Sequence, residues 1–276
     1  SGDSPPASCD GISKTAEKLI GPMALGEAAG EADRRGVPAG ACPPSVHDMG
    51  MGNTAKGLWT MERMERLGRY VLLQAEGVFP LGADTLDLSR FATVRRGFRV
   101  CDLGCGSGAL GLLLLEREEK LELTGVEVEP AAAELARRNL ALNGLCGQVL
   151  TGDLRDRALL PSGYFDLVVS NPPWFREGGG HSGGPARCEE RCSMEQLCAA
   201  AGRLVKNGGR AALIHRPERL PELFVQLRAA SLEPKRMRLV QHSPDAPPSA
   251  VLVEAVRQGR PGLEVLPVLL RTERVK

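Results

Sequence analysis

Between Phe98 and Glu129 the chain reads FRVCDLGCGSGALGLLLLEREEKLELTGVEVE: an apolar run, a glycine-rich turn, a helix-length amphipathic stretch and a second apolar run. No other feature constrains the fold so tightly. Two short apolar runs joined by a stretch of helical length form a βαβ unit, because parallel strands need a long crossover. The same alternation continues through strands expected at 147–153, 165–171 and 209–215. Helices are expected at 130–144, 194–204 and 218–230, with Pro130 starting the first of them and Gly144 ending it. The last two apolar runs, KRMRLVQHS and SAVLVEAVR, leave no room for a helix between them. The expected architecture is therefore a Rossmann-like α/β fold: a seven-stranded, mostly parallel sheet with one antiparallel edge strand and helices on both faces.

The chain has 276 residues, 42% of them apolar, enough to fill the core of one large α/β domain. Residues 1–57 are rich in Gly, Pro, Ala and Ser and contain no aromatic residue, so they read as a poorly structured extension with one short helix around Lys14–Ile20. Residues 58–276 form the expected domain. A formal charge of +1 excludes nucleic-acid binding through overall charge alone. Eight cysteines are scattered along the chain, several inside apolar strand-like runs, which points to reduced thiols and a cytoplasmic setting. The sequence lacks both an apolar run long enough to cross a membrane and the pattern of a signal peptide, so neither is expected.

The turn DLGCGSGALG places glycines at 104, 106, 108 and 111, where backbone must approach a ligand closely. Gly106, Gly108 and Gly111 alone match the G-x-G-x-x-G spacing of dinucleotide folds, and Glu127 ends the next strand, where a ribose-binding acid belongs. Asp102 discriminates between ligands. An acid just before the loop would repel a pyrophosphate and attract the cationic end of S-adenosylmethionine. Asp102, Glu127 and Asp153 fall at or near the ends of consecutive strands, so all three can line one crevice at the carboxyl edge of the sheet, although each could also cap a helix or a turn.

The next strand ends in VVSNPPWF, residues 168–175. Two prolines make a stiff turn with no N–H groups, so the Asn171 amide oxygen and the Pro172 carbonyl can serve as two acceptors for one planar amino group. Holding both amino hydrogens favours the pyramidal nitrogen that can attack a methyl carbon. Trp174 offers a face on which a base can stack. The plain alternative is a strand stopped by Pro-Pro, with Trp174 covering the core.

Taken in order, DLGCGSGALG, GVEVEP, TGDLRD and NPPWF resemble the class I S-adenosylmethionine-dependent methyltransferases that carry an Asn-Pro-Pro-aromatic motif. Within them the chain is most similar to the bacterial tRNA1(Val) (adenine-37-N6)-methyltransferases, over roughly residues 59–270, including GVFPLGADTLDLSRFA before the first strand of the sheet. The resemblance implies S-adenosylmethionine contacts from Asp102, Gly104, Cys105, Gly106, Glu127, Val128, Asp153, Leu154 and Asn171. It implies substrate contacts from Asn171, Pro172, Pro173 and Trp174, methyl transfer to the N6 amine of adenine in RNA, and a tRNA partner; on the cysteine spacing, no metal is expected. Trp174 stands where the family usually has Tyr, and Cys188 where it usually has His.

Other acceptors present the same planar amino group: a protein glutamine side chain, as in release-factor methylation, or guanine N2 in rRNA. A non-catalytic RNA-binding protein could keep the same fold. Cys188, Cys192 and Cys198, with His181 nearby, match no common zinc or iron-sulfur spacing. His215 and Arg216 close the strand after Asn171 and either touch substrate or start the following helix. The basic stretch PKRMR either meets an RNA backbone or forms a solvated face. The glycine-rich residues 178–184 read as a substrate-ordered lid or a mobile loop.

Overall fold

The computed structural model describes residues 62–172 and 192–271. The extension 1–57, Pro173, Trp174, His181, Cys188 and the glycine-rich stretch lie outside the described residues. The chain begins its described part with a hairpin that sequence reading did not anticipate: β1 (Glu62–Leu67) and β2 (Tyr70–Ala75), antiparallel, with Gly68 at φ +56° in the turn. The β1 sequence ERMERL is mostly charged and exposed, so it lacks the apolar alternation by which strands are recognised.

After helix α1 (Ala83–Phe91) the expected alternation follows: β3 (Arg99–Leu103), α2 (Ala109–Arg117), β4 (Glu122–Glu127), α3 (Pro130–Leu142), β5 (Gly147–Thr151) and β6 (Phe165–Ser170). Beyond them come α4 (Met194–Leu204), β7 (Val205–His215), a short 3-10 turn at Pro217–Arg219, and α5 (Leu220–Ala229). Helix α4 opens with a capping box in which the Ser193 hydroxyl accepts from the Gln196 amide and the Gln196 side chain accepts from the Ser193 amide. The described part ends with β8 (Leu232–Gln241), β9 (Ala250–Arg257), β10 (Glu264–Val265) and β11 (Leu269–Leu270).

The main sheet runs β10-β8-β9-β7-β6-β3-β4-β5, with β11 also paired to β8. Strands β3 to β9 are the seven expected, and the sheet is mostly parallel, as expected. One detail is corrected. The antiparallel strand is not at the edge: β9 inserts between β7 and β8 and pairs antiparallel with both. Its sequence AVLVEAV is buried on both faces, which suits an interior strand, and the short β10 and β11 cover the β8 side instead.

Successive residues of each strand feed two cores. Val100, Leu167, Val169 and Ile214 join the α1 and α2 side, while Cys101, Val168, Ala211 and Leu213 join the α4 and α5 side. The hairpin is tied to the first of these layers by Asn139 of α3, which is fully buried. Its Oδ1 accepts from the Leu73 amide at 2.7 Å, and its Nδ2 donates to the carbonyls of Leu73 at 3.0 Å and of Ser107 at 2.8 Å. One amide thus links β2 to the glycine turn. Asn139→Ala leaves three backbone groups unpaired and is expected to cost about 3 kcal/mol in urea unfolding; a loss below about 1 kcal/mol would show that the hairpin is held by other contacts.

Candidate functional site

Parallel strands β6, β3 and β4 end at one edge, and their register places Asp102 opposite Gly125 on one side and Val169 on the other. Asp102 is 2% exposed, and its Oδ2 has no hydrogen-bond partner among the described residues. Burial, helped by the charge of Glu127, pushes its carboxyl up to about 7 against the pull of the Gly111 amide. Such a group is poised to meet a cation.

Glu127, at the end of β4, is also buried, but its carboxylate is occupied. Oε2 accepts from the Gly106 amide at 2.9 Å and Oε1 from the Glu129 amide at 3.0 Å. The acid therefore fixes the glycine turn as well as facing the crevice, and each oxygen keeps a lone pair for a ligand hydroxyl. The glycines divide into two kinds. Gly104 and Gly106 have φ of +71° and +54°, and a Cβ on either would meet no protein atom, so they form an open cradle. At Gly108 a Cβ would lie 3.3 Å from that of Ala136, and at Gly111 2.6 Å from Leu123 Cδ2. The spacing that resembled a dinucleotide fingerprint thus mixes one open position with two that are closed by packing.

A cavity of about 1290 Å³ opens over this edge. Asp102, Gly104, Cys105, Gly106, Glu127, Val128, Asp153, Leu154, Asn171 and Pro172 all line it, so the tertiary structure gathers every expected site residue that it describes. Their surroundings differ. Cys105 turns its Sγ to within 2.8 Å of where a Gly125 Cβ would be, so it packs beneath the turn, and burial holds its thiol well above the usual range. Val128 is half exposed and presents an apolar face. Asp153 is held by the Arg155 side chain, with Nε 2.9 Å from Oδ1, and this pairing lowers its carboxyl below the usual range. Asn171 donates from Nδ2 to the Thr85 hydroxyl at 2.9 Å.

A family model for the methyltransferase small domain matches residues 72–226, more than half of the chain. The chain belongs to that family. Its members are class I S-adenosylmethionine-dependent methyltransferases. A tRNA1(Val) (adenine(37)-N6)-methyltransferase of Porphyromonas gingivalis is 33% identical over 161 residues, which cover 55% of this chain and 63% of that protein's own length. A release factor glutamine methyltransferase of Mycolicibacterium smegmatis is 34% identical over 166 residues, 54% of this chain and 57% of its own. Among solved structures, a crystal structure from Agrobacterium tumefaciens described as a predicted O-methyltransferase superimposes with a TM-score of 0.58 at 26% identity, covering 70% of this chain and 89% of that one.

In this methyltransferase small domain further residues line the cavity, some of them in segments that the sequence had already pointed to. Phe79 and Thr85, from the segment before β3, line the cavity, and Phe79 is 54% exposed there. Met194 and Leu197 of α4 line its far side. His215 and Arg216 line it too, which places both at the site. The His215 Nδ1 accepts from the Arg216 amide at 2.8 Å, while burial and the charge of Arg219 push the imidazole down to about 4, so it is neutral at pH 7. Within the basic stretch, Arg236 joins Arg210 on the buried carboxylate of Glu254 and lies over the Phe91 ring at 4.9 Å. Among the described residues no helix is long and apolar enough to cross a membrane. No cluster of three or more metal-ligating side chains occurs among them either.

The raised Asp102 carboxyl has a signed consequence. The folded chain keeps this proton up to about pH 7 while the unfolded chain loses it near the ordinary value of 3.8, so this group makes stability fall as pH rises between those values. Asp102→Asn is expected to melt higher than the parent at pH 8 and alike near pH 4, the gap growing by at most about 1.4 kcal/mol per pH unit between. Differential scanning calorimetry at the two pH values checks this; a gap that does not change with pH would contradict it.

Proposed function

We propose that this protein methylates the exocyclic N6 amine of adenine in RNA, with tRNA as substrate, using S-adenosylmethionine. The observation that carries the reading is that Asn171 and Pro172, at the end of β6, line the same cavity as the glycine cradle and the buried Asp102. The residues fit that cofactor. Asp102 has a buried oxygen with no partner among the described residues and a carboxyl that a neighbouring cation would ionise. Gly104 and Gly106 leave room for close backbone approach, Glu127 keeps acceptor capacity for ribose hydroxyls, and Val128 offers an apolar face to a purine.

When bound, S-adenosylmethionine supplies an electrophilic methyl group on a sulfonium that leaves as a neutral thioether. The chain's own work is to hold the acceptor. Asn171 Oδ1 and the Pro172 carbonyl take the two amino hydrogens, which localises the nitrogen lone pair. Neither oxygen is a strong base, so the proton lost on N-methylation leaves to water after the N–C bond forms. Trp174 and Pro173, which resemble the family's aromatic motif, complete this reading as a stacking face and a rigid turn.

The RNA substrate is supported by the likeness to tRNA1(Val) methyltransferases, and the likeness to a release factor glutamine methyltransferase keeps one rival, a glutamine side-chain amide. The test is mass spectrometry of nucleosides from unmodified tRNA incubated with protein and cofactor. N6-methyladenosine is expected, and Asn171→Ala should lower kcat by about 10²-fold with cofactor affinity nearly unchanged. Methylation of a release-factor glutamine and not of tRNA would give the site to the rival, and full-rate Asn171→Ala would remove the acceptor clamp.

A further inference from the structure

An asparagine amide has two ends of nearly the same shape, and only one of them can accept a hydrogen bond. At the end of β6 the amino acceptor needs the oxygen of Asn171 turned into the cavity, and nothing in the Asn-Pro-Pro sequence itself selects that orientation. The opposite flip would present an N–H to another N–H. The selection comes from outside the motif. Asn171 Nδ2 donates to Thr85 Oγ1 at 2.9 Å, and Thr85, 6% exposed, lines the same cavity from the first turn of α1. Thr85 takes the Nδ2 hydrogen on its Oγ1, so the hydroxyl is the acceptor in this pair and the amide nitrogen of Asn171 is the end that faces it.

The helix that carries Thr85 is itself braced. Arg271, just after β11, donates from Nε to Asp87 Oδ2 at 2.6 Å and from Nη2 to Asp84 Oδ1 at 2.6 Å. Those two acids flank Thr85 in the sequence. The Arg271 backbone amide is in turn bonded to the Gln241 carbonyl of β8 at 2.8 Å, so the brace is anchored on the main sheet.

We propose that Thr85 is a positioning residue for methyl transfer: its hydroxyl fixes the flip of the Asn171 amide so that Oδ1 faces the acceptor amine, and the Arg271 brace holds Thr85 in register. This rests on the reading of Asn171 as an acceptor clamp. It adds a determinant that lies more than 80 residues away from the motif it serves.

Thr85→Val keeps the shape and removes the acceptor; Thr85→Ser restores it. Steady-state methylation is expected to show kcat lowered at least tenfold in Thr85→Val, with cofactor Kd from calorimetry within twofold of the parent, and recovery to within threefold in Thr85→Ser. A merely structural role would lower melting temperature and cofactor affinity together and would not be rescued selectively in kcat. A second readout needs no substrate. The Asn171 side-chain NH2 resonances, assigned by their loss in Asn171→Asp, should exchange slowly with water in the parent and in Thr85→Ser and at least tenfold faster in Thr85→Val. Equal exchange in the parent and Thr85→Val, or an unchanged kcat, overturns the proposal. If the parent leaves tRNA unmethylated but the exchange result holds, the assignment of Thr85 stands and the RNA reading falls.

Discussion

Parallel strands buried on both faces can expose polar groups only where they end. In this chain that constraint fixes where the cavity opens. Asp102 lies in register with Gly125 and Val169 near the ends of three adjacent strands, and the chain leaves each strand at the same edge. A carboxyl placed there is covered by the layers above and below. It is therefore desolvated, and the ordinary acid becomes one whose proton is held to about pH 7. The adjacent Glu127 accepts from two backbone amides, those of Gly106 and Glu129.

The edge is completed by elements distant in sequence. Asn139 reaches from α3 to both β2 and the glycine turn, so the hairpin and that turn share one buried amide. Thr85 reaches from α1 to Asn171, and Arg271 ties α1 back to the far side of the sheet. These side chains bond groups 32 to 184 residues away, which makes the cavity a product of the closed sheet and not of a local motif. The buried Glu254 plays the same part on β9, gathering Arg210 and Arg236 with Thr93 into one satisfied network. One of its arginines, Arg236, comes from PKRMR, the stretch that in sequence reads either as an RNA-backbone contact or as a solvated face.

Much of this was legible beforehand. The alternation of strand-like and helix-like runs gave the order of β3 through β9, because periodicities of 2 and 3.6 differ enough to survive without tertiary context. The hairpin was not legible, since ERMERL carries no apolar face, nor was the interior position of β9, since strand order depends on pairing between segments far apart. Among the glycines, spacing could not separate the open positions 104 and 106 from 108 and 111, which are closed by Ala136 and Leu123.

By itself the sequence determined that the chain folds as a mostly parallel α/β sheet, and that Asp102, Glu127 and Asn171 end three of its strands. Those facts depend on local periodicity and on which residues follow each apolar run. Only the tertiary structure decided that Asp102 would be buried without a partner among the described residues, that Asp153 would be taken by Arg155, and that the Asn171 amide would be oriented by Thr85. Protonation state and amide flip depend on what lies within a few ångströms in space, and for Asp102 and Asn171 those neighbours come from elsewhere in the chain.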